Sequence, residues 1–439
     1  MSPLLGAAVA LTVGAPLLLL LILGVAGVAR PLGERAIGLV TRTLLLAALT
    51  GSLASFIAFQ ASGAAPQLVR YGDWFGAGAA VFAVDLAIDA MSLGFTVLSL
   101  LVCNVVASFS FRYLHREPGF QRYFVQMAMF VVGLTSVGLA GSVEVLFVGW
   151  ELLGLSSALL VGFFQGRRAP VQNALRVFAV YRLSDAAMLS AAVLLHHWQG
   201  SGNLIGLFAA EPSSRIVVDS GQALALGLLL IVAVAGKSAL WPLSGWLPRA
   251  MEGPTPSSAV YYGALSIHAG CFLLLRVQPL ISMSMIATGL LILGGVITAM
   301  YGSLVGRVQT DVKSAISYAT LTQVGIIVVE IALGLHGLAL IHIAGHACFR
   351  LLQFLSAPNV LHDLHALESR LGDDLRTGRQ TGSPRGKRTI YLFALERGFA
   401  DSLLERVVVV PFKYVVSKLD MFDRLLVAAP RGKQIGSKE

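Results

Sequence analysis

Apolar stretches long enough to cross a lipid bilayer recur along the first 357 residues of the chain. Of its 439 residues, 56% are hydrophobic and only 13% are charged, whereas soluble proteins carry roughly a quarter charged residues. Because a transmembrane helix needs about 20 mostly apolar residues, we predict an all-α, polytopic membrane protein. The eleven predicted spans are 5–29, 37–61, 82–110, 122–141, 143–164, 171–196, 221–245, 255–278, 283–306, 313–334 and 336–357.

The first stretch is predicted to be a retained helix, because it contains no basic residue before Arg30 and is longer than the apolar core of a secretory signal. Basic residues concentrate in the loops that follow odd-numbered spans: Arg30, Arg35, Arg112, Arg116, Arg122, Arg167, Arg168, Arg249, Arg307 and Lys313. The other loops offer Arg70, Arg215 and Arg276. The positive-inside rule then places the N-terminus outside and the C-terminal tail in the cytoplasm, as in a cell (inner) membrane protein.

The net charge of +9 could suggest nucleic-acid binding, but beside so many spans it is better explained by contact with lipid headgroups. Hydropathy and charge divide the chain into five segments: N-terminal transmembrane helices over 1–110, polar-rich spans over 111–280, further spans over 281–360, a polar linker over 361–389 and an amphipathic tail over 390–439. In the tail, apolar residues recur at helical spacing until Pro411. This pattern predicts a pair of interfacial helices lying along the membrane or a partner; the alternative is a poorly ordered tail.

Charged residues lie at bilayer depth. Glu151 follows Trp150 inside one span, and Lys237 lies inside another. Each such charge costs about 2.5–3.5 kcal/mol to insert, and residues of this kind usually mark ion or proton routes. A buried lysine changes its protonation state readily, and Pro242 predicts a helix break just after it. We interpret Glu151 and Lys237 as proton carriers; the alternative is a structural ion pair.

Two further acidic positions accompany these carriers. Arg182 and Asp185 are three residues apart and so share a helix face. They form either a purely structural pair or a pair in which Asp185 modulates a lysine on a neighbouring helix. Glu144 lies two turns before Glu151 and is either a secondary site or only an interfacial residue.

A third polar group repeats every four residues. His342, His346 and Arg350 therefore line one helical face, which offers two titrating groups and one fixed cation. Two histidines four apart could also bind zinc, but no acidic or cysteine ligand lies nearby in sequence, so we predict no metal site.

The remaining candidates lie near these groups in sequence. His268 is either a proton carrier or a satisfied packing group, and Lys313 either carries protons or snorkels to the interface. The other secondary candidates are Tyr262 and Glu330. Three residues are predicted to shape the start of the span at 255: Gly253 through flexibility, Pro254 and Pro256 through rigidity.

Cofactor binding by this chain is not predicted. Cys103, Cys271 and Cys348 are isolated, so there is no iron–sulfur or zinc signature. No GxGxxG motif opens a helix after a strand, which argues against nucleotide binding. We therefore expect no cofactor and no redox chemistry in this chain.

Six segments together resemble the antiporter-like subunits of NADH:quinone oxidoreductase (complex I), closest to the L type. They are Gly149-Trp-Glu-Leu-Leu-Gly-Leu-Ser-Ser, Arg182-Leu-Ser-Asp, Ala235-Gly-Lys-Ser-Ala, Trp246-Leu-Pro-Arg-Ala-Met-Glu-Gly-Pro-Thr-Pro, Gln309-Thr-Asp-Val-Lys-Ser-Ala-Ile-Ser-Tyr-Ala-Thr-Leu-Thr-Gln and His342-Ile-Ala-Gly-His-Ala-Cys-Phe-Arg. The resemblance covers roughly residues 80–360, and the Trp246 run is its most specific part. Mrp-type sodium/proton antiporters and membrane-bound hydrogenases share such subunits.

The resemblance implies two inverted repeats, each with a broken helix, joined by a hydrated axis; 111–280 corresponds to the first repeat and 281–360 to part of the second. Glu151 takes the role of the family's glutamate and Lys237 that of its broken-helix lysine, which Asp185 modulates. The chain departs from the family at three points. Tyr262 stands where the family has a histidine, Arg350 stands where it has the central lysine, and the second broken helix has no counterpart, so the chain resembles a form shortened at its C-terminus.

The resemblance implies a proton-translocating subunit, with Na⁺ as the alternative ion, that works beside other membrane and peripheral subunits of a hetero-oligomeric complex. Two other functions stay open at this point. One is the membrane subunit of a two-component inorganic-carbon uptake complex, or a hydrogenase-type or Mrp-type subunit. The other is a non-conducting scaffold.

Overall fold

The structure is a computed structural model that describes residues 3–63, 65–77, 80–199, 202–204, 218–371 and 385–428. Ten helices in these ranges are long and apolar enough to cross a membrane, so the prediction of an all-α polytopic membrane protein is confirmed. In chain order the elements are α1 (Pro3–Ala29), α2 (Glu34–Ser62), β1 (Gln67–Ala77), β2 (Ala80–Ile88), α3 (Ala90–Tyr113), α4 (Phe120–Gly138), α5 (Val143–Val161), α6 (Arg168–Gln199), α7 (Ser220–Lys237), α8 (Trp246–Arg249), α9 (Thr255–Ser257), α10 (Ser266–Ile281), α11 (Met285–Gly306), α12 (Val312–Ala332), α13 (His336–Leu371), α14 (Arg385–Leu395), α15 (Ala400–Leu404) and α16 (Val410–Ala428).

Helix α4 occupies the position of the fourth predicted span but is not among the ten. Gln121, Arg122 and Gln126 lower the hydropathy of its first half. The helix nevertheless packs against both α1 and α5, and most of its side chains are buried. Helix α4 therefore lies at the centre of the bundle, surrounded by neighbouring helices rather than by lipid.

The predicted span 82–110 is wrong in its first residues, because they form strand β2. Strands β1 and β2 pair antiparallel, with Gln67 opposite Ile88, and the β-branched, alternating sequence before Ile88 suits a pleated strand. Asp89 ends the strand and caps α3 by accepting a hydrogen bond from the Ser92 backbone N–H at 2.8 Å. The hairpin rests on the connection between α4 and α5, where the Ala87 N–H donates to the Leu139 carbonyl at 2.8 Å.

The break predicted near Lys237 and Pro242 is present. Helix α7 ends at Lys237, and two short 3₁₀ turns and α8 carry the chain to Glu252. The Trp246 indole N–H closes the break by donating to the Gly236 carbonyl at 2.9 Å. Residues Thr255–Ile281 then form one continuous helix that includes a π-helical segment over Ser258–Leu265; we call it the 255–281 helix.

Gly253 has a different role from the predicted one. Its backbone is extended rather than held in a conformation that only glycine adopts (φ −69°, ψ 172°). A Cβ there would lie 2.7 Å from the Leu160 carbonyl oxygen. Glycine is therefore needed for close approach to α5, while Pro254 and Pro256 occupy the start of the 255–281 helix as predicted.

Helix α13 extends beyond the predicted end of its span. It runs to Leu371, because residues 359–371 are mostly good helix formers. Hydropathy indicates where a helix leaves an apolar environment, and it does not indicate where the helix itself ends. The predicted linker over 361–389 is thus helical at both ends. Its middle, residues 372–384, and Arg215 lie outside the described residues.

The break in the tail lies at Gly398 rather than at Pro411. Gly398 has φ 58°, the left-handed region that favours glycine. Pro411 instead lies in the first turn of α16, directly after a π-helical segment over Glu405–Val409. A π-helical turn displaces the backbone from the regular i to i−4 pattern, so it accommodates the proline ring that would otherwise clash with the preceding turn.

The tail docks on the segment that follows the break in α7. The Asp401 carboxylate lies 2.6 Å from Arg249 of α8, and the Tyr301 hydroxyl donates to the Arg397 carbonyl at 2.8 Å. Glu405 pairs with Arg176 of α6 at 2.7 Å. Burial alone raises the pKa of Glu405, but the hydrogen bond and charge of Arg176 outweigh it and lower the pKa.

Replacing Asp401 with Asn should loosen the tail. The change removes the ion pairs with Arg249 and Arg397 while keeping the side-chain volume. We expect limited proteolysis within residues 385–428 to become about fivefold faster, since the two partly buried pairs together contribute roughly 1 kcal/mol. Asp420→Asn is the matched control, because its pair with Arg424 is exposed. Equal cleavage of the two variants would contradict the docking role.

Candidate functional site

Lys237 is fully buried at the end of α7. Its ammonium donates a hydrogen bond to the Trp150 carbonyl of α5 at 2.9 Å and lies 3.9 Å from Asp185 Oδ1 of α6. The Tyr181 and Trp150 rings flank it, with centroids 4.3 and 4.8 Å from Nζ. Three helices thus converge on one ammonium, which has carbonyl, carboxylate and aromatic neighbours.

Arg182 joins the two carboxylates of this group. One of its nitrogens lies 2.5 Å from Glu151 Oε2 and 2.7 Å from Asp185 Oδ2. The predicted pairing of Arg182 with Asp185 on one helix face is therefore observed, and the same guanidinium also reaches α5. We call Glu151, Arg182, Asp185 and Lys237 the lysine cluster.

Gly154 makes room for the lysine head group. A Cβ at this position would lie 2.9 Å from Lys237 Nζ and 3.4 Å from the Tyr181 ring. The ammonium cannot retreat without losing the Trp150 carbonyl, because the aromatic rings enclose it. Glycine at 154 therefore sets the position of the ammonium.

Replacing Gly154 with Ala should displace that ammonium and slow any proton transfer through it. We expect about a tenfold loss of proton flux in reconstituted vesicles, which corresponds to about 1.4 kcal/mol on the barrier. Gly294→Ala on α11 is the matched control, since a Cβ there meets nothing within 4 Å. Native flux in the Gly154 variant would show that the position of the ammonium is not critical.

A second set of polar side chains lies just after the C-terminal end of the π-helical segment, around His268 of α10. The Arg350 Nε–H donates to His346 Nε2 at 2.9 Å, and His346 Nδ1 lies 3.0 Å from His268 Nε2. His268 Nδ1 in turn lies 2.6 Å from the Ala264 carbonyl oxygen. Arginine can only donate and a carbonyl oxygen can only accept, so both neutral rings carry their proton on Nδ1.

His342 extends this group toward α12. Its Nδ1 lies 2.9 Å from Glu330 Oε1, and its Nε2 lies 3.0 Å from Gln323 Oε1. The His342 and His346 ring centroids are 6.4 Å apart. We call His268, His342, His346, Arg350 and Glu330 the histidine cluster.

The two clusters meet through the residues next to them. The Ser238 hydroxyl, one residue after Lys237, donates to the carbonyl of Ile267, one residue before His268, at 2.6 Å. Within the described residues, no recorded hydrogen bond joins a side chain of one cluster to a side chain of the other. Hydrogen bonds thus link His268, His346 and Arg350, whereas the step from His346 to His342 and the step between the two clusters each need water or movement.

The other predicted residues lie outside both clusters. The Tyr262 hydroxyl donates to the Ser157 carbonyl at 2.7 Å and its ring packs on Trp246. Lys313 lies in the first turn of α12, with no hydrogen bond or ion pair to either cluster in the part of the chain that the structure describes. Glu144 pairs with His196 at 2.6 Å.

Three contributors were not identified from the sequence: His196, Gln323 and the Trp150 carbonyl. His196 and Gln323 are 52 and 19 residues from their partners in the chain, so no local spacing indicates the contacts. A backbone carbonyl has no sequence signal. The described residues also contain no group of three or more His, Cys, Asp or Glu that could hold a metal ion.

Comparison with known proteins identifies the family of this arrangement. The profile of the family described as "NADH:quinone oxidoreductase/Mrp antiporter, TM" matches residues 140–376, which include both clusters and the broken helix. The chain belongs to this antiporter family. A second profile, "NADH-Ubiquinone oxidoreductase (complex I), chain 5 N-terminus", matches residues 74–124. The resemblance to L-type subunits is confirmed.

Curated relatives of this antiporter family include NADH-quinone oxidoreductase subunit L of Neisseria meningitidis, which is 33% identical in an alignment 301 residues long that covers 66% of this chain and 45% of the relative. Subunit L of Mycobacterium tuberculosis is 32% identical over 66% of this chain and 46% of its own length. The chain thus spans about half the length of the curated relatives it matches.

Solved structures give the same result for the fold. The Mrp complex from Dietzia sp. DQ12-45-1b superposes with a TM-score of 0.66 and 28% identity over 80% of this chain and 37% of the matched chain. A chain of an archaeal membrane-bound sulfane sulfur reductase superposes with a TM-score of 0.67 over 79% of this chain and 70% of its own, at 20% identity. At that identity the second match shows the fold alone.

Proposed function

We propose that this chain is the proton-translocating membrane subunit of a complex-I-like energy-converting complex. The observation that carries the proposal is the lysine cluster. Its ammonium is fully buried next to a broken helix, 3.9 Å from a carboxylate that a guanidinium also binds. Membership of the antiporter family supports the same conclusion.

The cluster suits proton transfer because its members respond differently to a proton. Arg182 stays charged, so it holds the Glu151 and Asp185 carboxylates in place. Lys237 can exist as an ammonium or as a neutral amine. When Arg182 turns toward Glu151, Asp185 is left to stabilise the ammonium; when it turns toward Asp185, the ammonium loses that support and gives up its proton.

The proton then passes from Lys237 toward the histidine cluster. Ser238 and Ile267 bring the two segments together, and His268, His346 and Arg350 continue the polar contacts across α10 and α13. Water between the clusters completes the route. Tyr262, Lys313 and Glu330 border this route and are secondary candidates.

The same proposal includes the setting of the chain. The N-terminus lies outside and the tail lies in the cytoplasm, in keeping with the basic loops. The chain binds no cofactor itself, and its partners are other membrane and peripheral subunits, as in the complexes that contain its relatives. Protons are the transported ion, and Na⁺ is the alternative that the test distinguishes.

The test is proton flux in vesicles that contain the tagged native complex, purified in mild detergent. We expect a pH-driven proton current that is independent of Na⁺, and iron or flavin in the co-purified subunits. Zinc without iron, with one large soluble partner, would instead point to inorganic-carbon uptake. Absence of any flux from an intact complex would leave a scaffold as the function.

A further inference from the structure

A buried pair of titrating residues lies outside both clusters. His196 Nε2 is 2.6 Å from Glu144 Oε1, and their side chains are only 10% and 9% exposed. Glu144 is in the first turn of α5 and His196 in the last turn of α6. The proposed route from Glu151 to Arg350 does not use either residue.

The pair lies at the end of the bundle that carries the β-hairpin. Ser142, just before α5, donates to the Ala83 carbonyl of β2 at 2.9 Å and bridges to Asn203 after α6. The tail, in contrast, contacts Arg176 near the first residues of α6. We call these two ends the hairpin side and the tail side.

The backbone of Gly202 covers the pair closely. A Cβ at this position would come within 2.7 Å of both Glu144 Oε2 and His196 Nε2. Glu144 Oε2 is buried and, within the described residues, accepts no hydrogen bond. One oxygen of the carboxylate is thus shared with the imidazole, and the other is available to a proton or a water molecule.

A groove connects this pair to the lysine cluster. It has a volume of about 610 Å³, runs between α5 and α6 and opens on the outer face of the bundle beside the exposed Val193; Glu144, His196 and Glu151 are the polar groups in an otherwise mostly apolar lining. Glu144 and Glu151 are two helical turns apart on one face, or about 10 Å. Since one water occupies about 30 Å³ in the liquid, the groove has room for a chain of waters between the two carboxylates.

Among the described residues, few charged or titratable groups lie around the pair. The hairpin contributes Asp85 with Arg70 and Asp73 beside it, α6 contributes His197, and α5 contributes Glu151 farther along the groove. Helix α4 has only Arg122, at its other end, and residues 202–204 have no charged group. Burial raises the pKa of Asp85, the charge of Arg70 lowers it, and the charge of Glu144 raises it, which shows that Asp85 and Glu144 are electrostatically close.

We propose that Glu144 and His196 form the proton-exchange site that connects the lysine cluster to the aqueous phase on the hairpin side. His196 exchanges a proton with water at the hairpin and shares it with Glu144 Oε1. Glu144 then passes it through the waters of the groove to Glu151. This assignment rests on the proposed function, because it supplies one end of the same route.

Flux measured from each side of the membrane tests the assignment. In vesicles that contain the native complex, His196→Gln and Glu144→Gln should each lower proton flux about tenfold, which corresponds to about 1.4 kcal/mol on the barrier. They should also change how flux depends on pH at the hairpin side, while its dependence on pH at the tail side stays native. His197→Gln is the matched control, because His197 is the next residue and is exposed. A native dependence on hairpin-side pH in both variants would overturn the assignment.

A second measurement separates this assignment from the proposed function. Dicyclohexylcarbodiimide modifies protonated carboxyl groups in apolar surroundings, and mass spectrometry can quantify its adduct on Glu144 without any flux. We expect the yield to follow pH on the hairpin side and to change in His196→Gln but not in His197→Gln. A yield that follows only tail-side pH, or neither, overturns the exchange site even if the complex conducts. The expected yield without any flux supports the exchange site and refutes proton translocation.

Discussion

Replacing Lys237 with Met is expected to abolish proton flux while the complex still assembles. Methionine has nearly the length of lysine and no charge, so the enclosure formed by Trp150, Gly154 and Tyr181 can accept it without a cavity. The variant loses the amine that accepts a proton within the lysine cluster and releases it toward the histidine cluster. We expect flux to fall by about a hundredfold or more, the usual contribution of a positioned acid or base.

The measurement is pH-driven flux in vesicles, with subunit composition determined on the same preparation. Lys418→Met is the matched control, since Lys418 is an exposed lysine of the tail, outside both clusters. Native flux in the Lys237 variant would refute the proposed function. Equal loss in both lysine variants would indicate a general effect of removing positive charge.

Replacing Arg182 with Leu is expected to destabilise the protein more than any other single change in the site. Arg182 is the only cation within 3 Å of Glu151 and Asp185 among the described contacts. Its removal leaves two carboxylates beside apolar helices with one ammonium 3.9 Å from Asp185. A fully buried ion pair that loses one partner costs about 3–5 kcal/mol. Arg182 and Glu151 are 31% and 28% exposed, so the cost here lies below that range, and we expect the apparent melting temperature in detergent to fall by several degrees.

A charge-compensated variant distinguishes this explanation from loss of side-chain packing. Adding Glu151→Gln to Arg182→Leu removes one uncompensated carboxylate and should restore about half of the lost stability. Arg167→Leu is the control, because Arg167 is exposed, its guanidinium lies over the Phe164 ring, and it forms no ion pair with another described residue. If the double variant is no more stable than the single one, uncompensated charge is not the cause.

The sequence predicted the membrane fold and the members of both clusters for one physical reason. A charge such as Lys237 or Glu151 is costly in an apolar segment, so its presence there is informative without any knowledge of its contacts. Spacing of three or four residues also predicted contacts within one helix, as for Arg182 with Asp185 and His346 with Arg350. These signals are local, so they can be read directly from neighbouring residues in the sequence.

Contacts between distant segments were not predictable in the same way. His196 follows apolar residues at the end of a span, where a histidine usually faces headgroups, and only the folded chain brings Glu144 to it. The strand at β2 was missed because hydropathy does not distinguish a buried strand from a helix. The break in the tail was assigned to Pro411 because the effect of a π-helical segment on a following proline depends on the folded backbone.

The hydrogen bond from Arg350 to His346 determines which nitrogen of each histidine can accept a proton. The Arg350 N–H occupies the Nε2 lone pair of His346, and each imidazole donates away from the guanidinium toward Ala264. The N–H bonds of both rings thus point in the same direction, from Arg350 toward Ala264. In the proposed direction, from the lysine cluster toward Arg350, His268 can accept a proton only on Nε2, which already accepts the N–H of His346, so both rings must rotate before a proton can pass. The two rings therefore limit proton passage, because both must rotate back to their original orientation before the pair can accept the next proton.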